Sequence, residues 1–160
     1  MGARDSSIQN ESFRHYVGYV GIMGTRKNEE IEAVTRAWEE ALANHDVDAL
    51  LACYAVDATL ESPVAAHILG GRGVAHGHDA LRPFLAEVVA RTPNERQYHR
   101  EGFFTDGRRV TWEYPRQTPD GEQMDFVEVM EVENGLIQAH RVYWGWRGVQ
   151  ILSKDLYHRQ

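Results

Sequence analysis

The sequence is poor in cysteine and proline. Cys53 stands alone among 160 residues, so neither a disulfide scaffold nor a metal site built from several thiolates is available. It falls in the apolar stretch DALLACYAVD and is expected to be a small buried hydrophobe. No apolar run reaches the length of a membrane-crossing helix. The run YVGYVGIMG at 16–24 is short and lacks the charged start and cleavage site of a signal peptide, which points to the cytoplasm. Excess positive charge is also missing. The net charge is −7, and acidic residues interrupt the basic groups at 91–100 and 108–109. Such a surface repels nucleic acid and anionic membrane, so neither is expected as a partner. GGRG at 70–73 lacks the Lys-Ser/Thr ending of a phosphate loop, and no nucleophile elbow is present.

What is present is one globular domain with a real core, 42% hydrophobic and 26% charged. Residues 1–27 read as an N-terminal extension, a lid or an arm onto a partner chain. Residues 28–152 form the domain, and 153–160 a tail. From Asn28, Ile31, Val34, Trp38, Ala41 and Leu42 recur at helical spacing, with Asn28 or Thr25 as cap. Asp46 caps a second, shorter helix through Ala49, Leu50 and Cys53. ATLESPV then alternates as a strand, which Pro63 stops. The Gly-rich segment 65–77 bends repeatedly, and its 65–75 part is expected to act as a mobile lid or a plain surface loop. HDALRPFLAEVVAR restores helical spacing, with His78 or Asp79 capping. Strands follow at roughly 95–104, 108–116, 123–132 and 136–147, separated by the turn signals TDGR, TPDGE and VENGL. Helices first and hairpins later predict an α+β domain with helices packed on one face of an antiparallel sheet.

One strand carries an anomaly. In QMDFVEVMEV, Met124, Phe126, Met130 and Val132 alternate on one face, and Glu128 sits among them. Burial there disfavours the charged carboxylate and predicts a proton donor or oxyanion stabiliser. On the next strand Leu136, Gln138, His140, Val142, Trp144 and Trp146 share a face. A three-residue loop Glu133-Asn134-Gly135 puts His140 directly opposite Glu128, whereas a two-residue Asn-Gly loop puts Arg141 there. The Glu128–His140 arrangement reads either as an acid/base dyad or as a satisfied structural pair. Trp38, Trp112, Tyr114 and Trp144, with Phe126 and Met130, would surround a flat hydrophobic substrate, and an inward-facing Ser62 would hydrogen-bond and orient it. Histidines 67, 76 and 78 lie near one another, but no ligand spacing completes a metal motif, so no metal and no cofactor is expected.

HDVDALLACYAVDATLESP, the HG before the third helix and MDFVEVMEVENGLIQAHRVYW together resemble the nuclear transport factor 2-like superfamily. Within it the likeness is to SnoaL-like polyketide cyclases and ketosteroid isomerase, over about residues 28–147. The resemblance implies a cone-shaped curved antiparallel sheet wrapped around three helices, a cystatin-like α+β barrel with a deep apolar pocket. It implies a homodimer formed through the outer sheet face. In ketosteroid isomerase an Asp is the base, and a Tyr with a protonated Asp forms the oxyanion hole. Here the base position is Ser62, the Tyr position Trp38 and the buried acid Glu128. The implied function is acid/base chemistry on a hydrophobic polyketide-, steroid- or terpenoid-like substrate: cyclisation, isomerisation, dehydration or epoxide opening. Steroid isomerisation in its standard form is not implied. With the base missing, the same cone also fits a non-catalytic ligand-binding or dimerisation module.

Overall fold

The computed structural model describes residues 8–91, 103–117 and 123–154, with side chains for 26–91, 103–113 and 126–154. Helix α1 runs unbroken from Ile8 to Ala43. The expected start at Asn28 or Thr25 is therefore corrected: both lie inside the helix. No proline occurs before Pro63, and glycines at 18, 21 and 24 each cost a helix about 1 kcal/mol without breaking it. His45, at positive φ, turns the chain, and Asp46 caps α2 (Val47–Ala52) by accepting from Ala49 N.

Strand β1 (Tyr54–Glu61) ends before Pro63, as its sequence predicts. The next segment is not a plain Gly-rich loop. Ser62 caps a helix α3 (Pro63–Leu69), with Pro63 in the first turn, where its missing N–H costs nothing. Gly70, Gly71 and Gly73 then take positive φ and return the chain into β2 (Val74–His76). Gly73 is required as such, because a Cβ there would meet the Ser62 carbonyl oxygen at 2.7 Å. Helix α4 (Gly77–Ala90) follows, and its cap is His76 rather than His78 or Asp79.

Four strands complete the sheet: β3 (Phe104–Thr105), β4 (Arg109–Gln117), β5 (Gln123–Glu133) and β6 (Leu136–Trp144). Most of the strand expected at 95–104 and the TPDGE turn lie outside the described residues. The last strand stops at Trp144, not at 147, because Gly145 opens a helix α5 (Trp146–Ser153) with Gly148, Ile151 and Leu152 buried. Trp146 is an exposed helix residue and not an inward strand position.

The strand order is β2-β1-β6-β5-β4-β3. The sheet is mixed rather than wholly antiparallel, since β1 runs parallel to β6. Between Tyr54 and Thr59 β1 spends five residues where β6 spends two, from Ile137 to Ala139, so β1 bends sharply. The inner face carries Val110, Trp112, Phe126, Met130 and Ile137, buried in one apolar cluster with Ile31, Val34 and Trp38 of α1 and Leu81, Phe84 and Leu85 of α4. Packing helices on this one face gives the expected α+β architecture.

The β5–β6 hairpin departs from both expected registers. Asn134 and Gly135 form a two-residue turn at positive φ, pairing Glu133 with Leu136 and Val132 with Ile137. A bulge at Gln138 then inserts one residue, so Glu131 pairs with Ala139, Met130 with His140 and Glu128 with Val142. The Gln138 amide holds this corner by donating to the carbonyls of Glu133 and Leu136. Leu136 and Gln138 consequently leave the inner face, and Ile137 takes it.

Candidate functional site

His140 is therefore not directly opposite Glu128. It sits one diagonal step along the ladder, a separation that long side chains span. The two still meet: His140 Nε2 lies 2.8 Å from Glu128 Oε2. Both are buried, at 2% and 5% exposure. The bulge makes this possible. Without it the two-residue turn would bring Arg141 inward and send His140 to the opposite face.

The chain of polar contacts continues past the pair. His140 Nδ1 lies 2.8 Å from the hydroxyl of Tyr54, and the Trp38 indole Nε1–H donates to that hydroxyl at 3.0 Å. Four buried groups from α1, β1, β6 and β5 thus form one line: Trp38, Tyr54, His140, Glu128. The rings lock it sterically. Trp38 meets His140 edge-on at 5.7 Å and Trp112 edge-on at 6.3 Å, and Tyr54 stacks on His140 at 6.1 Å.

Tyr54 is the residue that sequence reasoning missed. It sits where α2 gives way to β1, in a stretch whose apolar residues read as continuing helix. Its backbone is held from two sides. The Ile137 N–H donates to the Cys53 carbonyl at 2.8 Å, and His78 Nε2 donates to the Tyr54 carbonyl at 3.0 Å. Burial pushes the Tyr54 phenol well above its ordinary range; the Trp38 bond acts the other way, and the Glu128 charge adds to the rise. The phenol is therefore a neutral hydrogen-bonding group. Burial likewise raises the neighbouring Cys53 thiol, which donates to the Ala49 carbonyl.

The other expected site residues divide. Trp112 is buried opposite Glu128 across the β4–β5 ladder. Phe126 and Met130 are fully buried beside the pair, and Trp144 packs edge-on against Phe126 at 4.5 Å. Tyr114 pairs with Phe126 along the backbone, but its side chain lies outside the described residues. Ser62 is corrected. Its buried hydroxyl accepts from Val64 N at 3.2 Å, so it serves as the α3 cap rather than as a ligand contact. His76 bonds Thr59, and among the described residues no three His, Cys, Asp or Glu groups are placed to hold a metal ion. Among them too, no helix is long and apolar enough to cross a membrane.

The SnoaL-like domain model matches residues 34–140, two thirds of the chain and every residue of the polar line. The protein belongs to the SnoaL-like family. This places it in the nuclear transport factor 2-like superfamily, as the sequence motifs indicate. No protein of curated function matches it. An NTF2-like protein of unknown function from Burkholderia pseudomallei aligns with TM-score 0.60 and 23% identity, covering 80% of this chain and 97% of its own. A steroid delta-isomerase from Pseudomonas aeruginosa aligns with TM-score 0.62 and 18% identity, over 79% and 88%. The epoxide hydrolase/cyclase-like enzyme SalBIII, from pyran ring formation in salinomycin, aligns with TM-score 0.55 and 23% identity, over 77% and 93%. At these identities the likeness establishes the cone-shaped fold of this SnoaL-like protein.

Proposed function

We propose that this SnoaL-like protein is an acid/base enzyme acting on a flat, hydrophobic small molecule of polyketide, steroid or terpenoid type. The observation that carries this reading is the buried Tyr54–His140–Glu128 line. Three groups able to hold or pass a proton lie at 2.8 Å contacts inside an aromatic enclosure. A proton-transfer group works best when fixed within hydrogen-bond reach and screened from water. The reaction is a proton transfer that isomerises, cyclises or dehydrates the substrate or opens an epoxide. Glu128 and His140 move the proton, while Trp38 and Trp112 shape the hydrophobic wall. Folds shared with a steroid isomerase and a cyclase-like enzyme support the reaction class by analogy.

One observation favours a different reading. The position where the ketosteroid isomerases carry their base is Ser62, and its hydroxyl is occupied as a helix cap. On that ground the same enclosure would carry a hydrophobic ligand without converting it. Proton exchange separates the two. The protein is incubated in heavy water with flat cyclic ketones, and loss of the α-proton signal is followed by NMR. Exchange by wild type and none by Glu128→Gln, with ketone binding retained, is the enzyme's result. Binding by both proteins with exchange by neither is the carrier's result and overturns the enzyme reading.

A further inference from the structure

We infer that Trp38 sets the direction of every hydrogen bond along the buried line, so that His140 donates from Nε2 and Glu128 Oε2 accepts. This deepens the acid/base reading, and the role of Glu128 as base rests on that reading.

An indole N–H donates and never accepts. Trp38 therefore occupies a lone pair of the Tyr54 oxygen. Among the described residues the Tyr54 hydroxyl has two partners, Trp38 and His140 Nδ1. It is almost wholly buried, so water does not stand in for a partner. The phenol, raised by its burial, also keeps its own hydrogen. That hydrogen cannot point at Trp38 and so points at His140 Nδ1. A ring nitrogen that accepts carries no hydrogen, and neutral imidazole then carries it on Nε2. Nε2–H faces Glu128 Oε2 at 2.8 Å and donates to it. Oε2 is an acceptor.

The opposite order fails at one atom. A proton on Oε2 shared toward Nε2 would require Nδ1–H, and Nδ1–H would meet a Tyr54 oxygen whose own hydrogen has nowhere to go. The aromatic side chain in the family's oxyanion-hole position has here become an orienting group. It acts on Glu128 through two intermediates, 90 positions away in sequence. Trp38 is thus a positioning residue. In the reaction the substrate C–H bond breaks, its proton bonds to the Glu128 carboxylate, and the electron pair stays on the substrate as an enolate. The same proton returns to another atom of the substrate, leaving the carboxylate as it began.

The test is 15N NMR of the ligand-free protein with labelled histidine, read at pH values where the fold is intact. The expected spectrum shows His140 Nδ1 in the far-downfield range of an unprotonated ring nitrogen and Nε2 in the protonated range. Nδ1–H, or protons on both nitrogens, overturns the inference on wild type alone, whatever becomes of any variant. Trp38→Phe frees the Tyr54 hydroxyl to turn, and both ring shifts are then expected to move toward each other. Unchanged shifts in a folded Trp38→Phe protein would remove Trp38 from its orienting role. No substrate enters these measurements. A wild type with the expected shifts and no ketone exchange fails the enzyme reading while the hydrogen order stands.

Discussion

The β5–β6 ladder carries two side-chain pairs of the same length, one on each face, each joining a glutamate to a nitrogen donor. Inside, His140 meets Glu128 at 2.8 Å with side chains 2% and 6% exposed. Outside, Arg141 meets Glu131 at 2.8 Å with both side chains 28% exposed. Each pair is diagonal: Glu128 faces Val142 and Glu131 faces Ala139, so each carboxylate reaches across two positions. Distance and ladder geometry are shared, and the surroundings differ. Water screens the outer pair and repels neither partner when the other is lost. The inner pair has only its neighbours to satisfy it. The contrast separates a contact that decorates a strand from one that constrains the core.

The sharpest way to break the contrast is to remove one partner from each pair. His140→Ala leaves Glu128 buried beside an empty position and is expected to cost about 3–5 kcal/mol in urea unfolding. Arg141→Ala is expected to cost about 1 kcal/mol or less by the same measurement. Equal losses would show that burial does not distinguish the two faces. Glu128→Gln keeps the shape and a hydrogen-bonding oxygen. Its stability loss should stay within about 1–3 kcal/mol. Proton exchange on the ketone probe should fall by about a hundredfold or more.

Tyr54→Phe tests the link beyond the pair, and pH gives its sign. The folded phenol is raised above its ordinary value, so the folded state favours the neutral form. The stability this provides is complete below the unfolded value of about 10 and declines above it, by up to about 1.4 kcal/mol per pH unit. Wild type should therefore show a steeper alkaline loss of stability than Tyr54→Phe, in unfolding curves from about pH 9 to 11. Parallel curves would place the phenol in contact with water. The smallest effect belongs to the outer pair alone. A double-mutant cycle on Glu131 and Arg141 should return about 0.2–1 kcal/mol at low salt and less at high salt.

The inner face was legible because β-strands alternate. A carboxylate at 128 breaks a period-two apolar stripe, and that break is visible in ten residues. His140 was reachable from the same logic plus the family pattern. What joined them was not legible. A bulge is one extra residue with no composition of its own, and Gln138 looks like any polar strand residue. Tyr54 was hidden by a junction. An apolar run that leaves a helix and enters a strand shows neither period cleanly. The short helices α3 and α5 span 7 and 8 residues, too few to establish a 3.6-residue rhythm. The early start of α1 escaped for the opposite reason: glycines suggest an interruption that the absence of proline does not enforce. Pro63 was read correctly because it acts through local backbone geometry; the Asn134-Gly135 turn signal was visible too, but not the register that the two-residue loop and the bulge after it set.

The Gln138 bulge also bears on how the gene can change length. In-frame loss of the Gln138 codon would leave Ala139 against Glu131 and His140 against Met130, since the ladder on either side already has that phase. Loss of the Val129 codon, on the partner strand, would put Glu128 and Met130 on opposite faces and dissolve the inner line. Two deletions of identical size along one hairpin would thus act oppositely on the inner line, one keeping its phase and one breaking it.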